Sequence, residues 1–172
     1  KINEMAADLM AWHAPGGKVN HIHGYGRHGR ENFPKLLEER GLDLAKYPRI
    51  RAMEYIDQME QCMTAADLII SRAGAITISE LEVVGKASVL VPYPYAAENH
   101  QYYNAKVLED HGAAVLIEEK DYSREKLLGL VEEMAADPAR TEALGRNAAS
   151  LAVYDTAERI CRTILADLRQ KK

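Results

Sequence analysis

Apolar residues follow two alternating rhythms along the chain: short blocks of four to six, and longer stretches in which they recur every three or four positions. Ile2, Met5, Ala6, Leu9 and Met10 already run at helical spacing, with no capping residue ahead of them. A helix is therefore expected over 1–13, starting at or before Lys1, with further chain upstream. Pro15-Gly16-Gly17 closes it. Lys18 to His23 reads as a strand with Val19, His21 and His23 on one face and Asn20 and Ile22 on the other. Glu31 to Arg40 reads as a helix, with Pro34 in its first turn and Gly41 as its stop. Arg49 to Tyr55 is a second strand, and Asp57 is a plausible cap for a helix through Met59, Cys62 and Met63.

The most informative pattern follows. Leu68, Ile69 and Ile70 form a continuous apolar run, as expected of a strand buried on both faces of a parallel sheet. Ser71 to Ala75 is a turn of small residues around Arg72, and Ile76, Ile78, Leu81 and Val84 then predict a helix ending near Gly85. Ser88 to Val91 is the next strand, broken by Pro92 and Pro94. Glu98 to Asp110 is a helix stopped at His111-Gly112, and Ala113 to Ile117 is a fifth strand. Ser123 starts a helix that Asp137-Pro138 ends, and two more helices, 138–151 and 154–168, close the chain.

Strands alternating with helices at these lengths predict an α/β fold, a doubly wound parallel sheet with helices on both faces. Ligands in such sheets bind beyond the carboxyl ends of the strands. That edge carries Gly24 to Gly29, Tyr55 to Met59, Ser71 to Thr77 and Pro92 to Gln101.

The 172 residues suffice for one domain with a sizeable core. A net charge of −4 argues against a partner held by phosphate contacts along a nucleic acid. No apolar run approaches the roughly 20 residues of a membrane span, and no signal peptide is visible. Cys62 and Cys161 lie far apart with no CxxC pairing, as expected of buried thiols in a reducing compartment.

The stretch from Asp67 to Glu80 carries the chemistry. Strand, small-residue turn and helix aim free backbone N–H groups and a helix N-terminus at an anion. Glu80 lies one turn into that helix, about 6–9 Å further along at 1.5 Å per residue. It can accept two hydroxyl hydrogens from a sugar attached to a phosphate held at the turn. An ordinary strand-to-helix turn with a surface Glu would read the same way.

Other candidates are weaker. Gly24-Tyr25-Gly26-Arg27-His28-Gly29 matches GxGxxG between a strand and a helix, but the acid a dinucleotide site wants lies about 20 residues on. Glu54 is too far along, so no dinucleotide is expected. His21, His23 and His28 lack a neighbouring Cys or carboxylate to complete a metal shell, and partly buried imidazoles are the simpler reading. Without a DxD pair, no carboxylate-held metal is signalled. Tyr93, Tyr95, Tyr102 and Tyr103 could stack on a base or sugar, but loop and helix packing is the simpler reading, since aromatics bury well regardless of ligand. Glu98, Asn99, His100 and Gln101 open a helix on the ligand edge, where polar side chains suit hydroxyl recognition or capping.

The run EYIDQM, followed after a short gap by AADLIISRAGAITISELEVVGKASVLVPYPYAAENHQYYNA, resembles the C-terminal, nucleotide-sugar-binding half of the MurG-type glycosyltransferases. The resemblance covers essentially the whole chain and is densest from Tyr55 to Asn104. It implies one Rossmann-like half of the two-domain GT-B architecture. It further implies an inverting transfer of N-acetylglucosamine from UDP-N-acetylglucosamine to undecaprenyl-linked muramoyl-pentapeptide in peptidoglycan synthesis, without cofactor or bound metal. Ile56 falls where the family contacts uracil through its backbone, flanked by Tyr55 and Met59. Arg72, Gly74, Ala75 and Thr77 match the turn and helix start facing the diphosphate. Glu80 matches the ribose-binding acid, and His100 and Gln101 match a polar pair on the sugar hydroxyls.

Two departures accompany the match. Many relatives carry Gln where this chain has His100. Near Gly24 the family shows a small polar residue and one Gly in place of GYGRHG. The family's glycine-rich loop with its preceding strand, and the N-terminal domain with the acceptor site, catalytic base and membrane-facing patch, are expected upstream of Lys1. The complete protein is then expected to be cytoplasmic and peripheral on the inner face of the bacterial membrane. Two alternatives stand beside this: another UDP-sugar enzyme of GT-B fold, such as an epimerase, or a non-catalytic UDP-sugar-binding subunit of a two-chain transferase.

Overall fold

A computed structural model of the chain describes residues 1–170. It contains eight α-helices and five short parallel strands in two groups. Helix α1 (Ile2–His13) is followed by a 3-10 turn at Ala14–Gly16, and Gly17 adopts the left-handed conformation that ends it. Strand β1 (His21–Gly24) pairs with β2 (Ile50–Met53), joined through α2 (Asn32–Glu39). Helix α3 (Met59–Ala65) leads to β3 (Leu68–Ser71), then α4 (Ala75–Val84), β4 (Ala87–Leu90), α5 (His100–Asp110) and β5 (Val115–Leu116). The second sheet has the order β3-β4-β5. Helices α6 (Arg124–Ala136), α7 (Pro138–Leu151) and α8 (Thr156–Gln170) complete the chain.

Helices lie on both faces, as the alternation requires. Leu90 of β4 packs with Ile78, Leu81, Ala105, Leu108 and Ala148 from α4, α5 and α7. Val89 points the other way, toward Met134 and Leu144. Helix α1 joins the two sheets. Its Ala7 and Met10 pack with Phe33, Leu37 and Ile50 on the β1–β2 side. Its Met5 and Leu9 pack with Val91, Leu127, Leu68 and Ile70 on the other. A buried polar staple reinforces that junction: Asp8 of α1 accepts from Arg40 Nε at 2.6 Å and from the Tyr122 hydroxyl. Burial and the Asp8 hydrogen bond raise the pKa of Tyr122.

Several expectations need correction. The first strand begins at His21, because 18–20 are exposed and unpaired among the described residues. Strand β3 is only partly buried along its length, whereas β4 is buried throughout. The reason is position: β3 pairs with β4 alone and stands at an edge of its sheet. Asp57 does not cap α3; Gln58 holds the cap position without a side-chain hydrogen bond. Ile76 is 78% exposed and does not belong to the apolar face of α4, which Ile78 and Leu81 form. Glu98 and Asn99 have positive φ and form a turn ahead of α5, whose helix starts at His100. Cys161 is exposed and Cys62 half-buried, so neither is a buried thiol. Among the described residues, no helix is long and apolar enough to cross a membrane.

Candidate functional site

The four loops expected to carry the chemistry follow β1, β2, β3 and β4; β1 and β2 pair in parallel in one sheet and β3 and β4 in the other, so within each sheet the loops leave from the carboxyl edge. The β3–α4 turn is their centre. Gly74 occupies the N-cap of α4 in extended conformation, and no side chain caps the helix. The first helical N–H groups, from Ala75 to Thr77, therefore have no intrahelical acceptor and point out of the helix start. A side chain on Gly74 would meet nothing closer than the Thr77 hydroxyl, at 4.0 Å, so the approach to those N–H groups is open. The partial positive charge of the helix end falls at the same point. From behind, Asn104 Nδ2 donates to the Ala73 carbonyl at 3.0 Å and holds the turn against α5.

Around this turn the expected site residues are placed as follows. Ala75 and Glu80 are exposed and Thr77 is half-buried. Ile56 is buried, its side chain against Gly24 at the end of β1. Tyr55 and Met59 flank it and are exposed, Tyr55 at 72%. Helix α3 is tied to the turn through Met63, which shares a core with Ala73 and Ile78. On the other side, Gln101 Oε1 accepts from the Tyr93 backbone N–H at 3.0 Å. His100 Nδ1 lies 2.8 Å from the Ala97 carbonyl, so the ring is held by its own loop with Nε2 free to point away. Tyr93, Tyr95 and Tyr103 are exposed and Tyr102 is half-buried, with Tyr93 edge-on to Tyr95 and Tyr102 edge-on to Tyr103.

Arg72 is the exception. Its guanidinium does not extend from the turn. Nη1 donates to the carbonyls of Val91 at 3.1 Å and Pro92 at 3.0 Å, Nη2 pairs with Glu119 at 2.6 Å, and the group lies over the Tyr93 ring. Glu119 and Asn104 are the residues that the sequence reading missed. Asn104 lies one helical turn beyond Gln101, a spacing that could have marked it. Glu119 carries no such signal.

The remaining candidates are turned elsewhere. His21 and His23 point inward at α1, where His21 Nε2 meets His13 Nδ1 at 2.7 Å and His23 Nε2 meets Asn3 Oδ1 at 2.9 Å. Burial pushes both imidazoles down to about 4. In the GxGxxG stretch, Arg27–Gly29 form a 3-10 turn. Glu54, the acid considered for a ribose there, is held in a two-pronged pair with Arg30 at 2.7 and 2.9 Å.

Comparison with known proteins places the chain in a family and matches its fold. The family model for the glycosyltransferase family 28 C-terminal domain matches residues 1–160. One relative is the UDP-N-acetylglucosamine--N-acetylmuramyl-(pentapeptide) pyrophosphoryl-undecaprenol N-acetylglucosamine transferase of Desulforamulus reducens. It is 36% identical over 88% of this chain and 41% of its own length. The enzyme of the same name from Acetivibrio thermocellus is 34% identical over 99% of the chain and 45% of its own. Among solved structures, Acinetobacter baumannii MurG superposes with a TM-score of 0.73 at 27% identity, covering 98% of this chain and 44% of that one. The chain thus spans about two fifths of the length of the curated relatives it matches.

Proposed function

The chain belongs to the glycosyltransferase family 28 C-terminal domains, and from that premise we propose that it is the donor-binding half of a two-domain transferase. The donor is UDP-N-acetylglucosamine. The acceptor is an undecaprenyl-linked muramoyl-pentapeptide, bound by an N-terminal domain that also supplies the catalytic base and the contact with the inner face of the cell membrane. The observation that carries the reading is the uncapped, open start of α4 at the carboxyl edge of the sheet, with Glu80 one turn beyond it. The names of the relatives support the donor and acceptor, and their lengths support a further domain.

Uracil meets the backbone of Ile56 between the exposed side chains of Tyr55 and Met59. The diphosphate takes the N–H groups of Ala75 to Thr77, approached past Gly74. The ribose hydroxyls donate to Glu80, and the sugar hydroxyls reach His100 and Gln101. As the acceptor hydroxyl attacks the anomeric carbon, the bond to the UDP oxygen breaks and negative charge grows on the diphosphate. The helix end stabilises that charge where it develops, with no reorganisation needed.

Glu80→Gln keeps the shape and removes the charge, a loss of about 1.5–3 kcal/mol for hydrogen bonds to an ionised acceptor. UDP affinity measured by calorimetry should fall about tenfold or more. Unchanged affinity would remove Glu80 from the ribose.

A further inference from the structure

The geometry points to Arg72 and Glu119 as a positioning pair that sets the sugar-facing side of the site through Gln101, with Arg72 making no contact to the diphosphate. This rests on the donor-site reading above. Arg72 directly follows β3, and its contacts run sideways to the β4 exit and to Glu119. Two carbonyls at the end of β4, Val91 and Pro92, take one guanidinium nitrogen, and the Glu119 carboxylate takes another at 2.6 Å. The plane also covers the Tyr93 ring, 5.2 Å from its centre. The next backbone donor in line, Tyr93 N–H, is the group that holds the Gln101 carboxamide oxygen. Arg72 is therefore one step removed from the sugar: it fixes 91–93, and 93 fixes the rotamer of Gln101.

The chemistry of the fork explains why the residue is arginine. Two carbonyls and a carboxylate in different directions need several donors in a fixed plane, which guanidinium offers and ammonium does not. The Arg72 and Glu119 side chains are 30% and 20% exposed, so the pair is sheltered from solvent more than a surface salt bridge. Its carboxylate comes from the segment after β5, so the pair also ties the β5 exit to the loop carrying the site. The Glu119 carboxylate already matches the guanidinium charge, which weakens its pull on a phosphate.

The test is kinetic, in the complete two-domain protein. Arg72→Lys and Gln101→Ala should each raise KM for UDP-N-acetylglucosamine, about tenfold, while the inhibition constant for UDP stays within about twofold. The double variant should be no worse than either single one, because both act on one contact. Glu119→Gln should move KM in the same direction by less. Equal losses for donor and UDP in Arg72→Lys would make Arg72 a diphosphate ligand and overturn the inference, as would additive effects in the double variant. A second readout separates this inference from the donor-site reading. The backbone amide resonance of Tyr93, without ligand, should shift in Arg72→Lys and in Gln101→Ala. If Gln101→Ala leaves KM unchanged, the sugar contact is wrong, and the Tyr93 resonance still decides the clamp: an unmoved resonance in Arg72→Lys ends it.

Discussion

Single side chains carry the titration behaviour of this domain. His21 and His23 are held near 4 by burial, with the charges of neighbouring rings also disfavouring protonation of His21. Their folded pKa lies below the unfolded value of 6.5. Protonation then favours the unfolded chain, so stability is full above pH 6.5 and falls as pH drops from there toward 4. Each ring contributes on the order of 2–3 kcal/mol across that window, after discounting for partial solvent access. Denaturation midpoints from pH 7 to 4.5 should fall steeply, and His21→Gln with His23→Gln should flatten the slope. A second residue-scale prediction concerns Ser88, whose hydroxyl is fully buried with no hydrogen-bond partner among the described residues. An unsatisfied buried hydroxyl costs about 1–3 kcal/mol, so Ser88→Ala should raise the urea midpoint.

At the scale of elements, local rules were legible and non-local ones were not. Ser123 accepts from Lys126 N–H at 3.2 Å and starts α6 where the sequence places it. Asp137 ends that helix and caps α7, with Pro138 at the first position. Gly85 ends α4 in the left-handed conformation at φ 60°. Each of these depends on neighbours a few residues away. The edge position of β3, the inward direction of His21 toward His13, and the contact of Arg72 with Glu119 depend on pairing across the fold, which no window contains. The turn at Glu98 and Asn99 was missed for another reason: left-handed conformations at these residues leave little trace beside a strong helical spacing. Gly145 in α7 was also silent. A Cβ there would lie 2.4 Å from the Gly85 carbonyl oxygen, so only glycine lets α7 approach the start of β4. Backbone cannot yield as a side chain can, and Gly145→Ala should cost roughly 1–3 kcal/mol. This is measurable as a lower denaturation midpoint with an unchanged slope.

For the molecule as a whole, the open surfaces are sheet edges and one apolar helix face. Strands β1 and β3 each have one partner among the described residues, leaving an edge of each without strand pairing. On α8, Ile160, Ile164, Leu165 and Leu168 are all more than half exposed. The isolated 172 residues should therefore self-associate in sedimentation experiments. They should bind UDP-N-acetylglucosamine with a dissociation constant on the order of 0.1 mM or weaker. With labelled donor and lipid acceptor they should form no disaccharide, since holding both reactants in line supplies roughly 7–11 kcal/mol of the barrier. Adding the acceptor-binding half should restore turnover.

The central claim is that the start of α4, with Glu80 beyond it, holds a uridine diphosphate-sugar. A crystal structure of the complete protein with UDP-N-acetylglucosamine bound tests it most directly. The account predicts the uracil against Ile56, the diphosphate on the N–H groups of Ala75 to Thr77, both ribose hydroxyls on Glu80 and the sugar within reach of His100 and Gln101. A nucleotide seated on the Gly24 to Gly29 loop, or a ribose out of reach of Glu80, would contradict it.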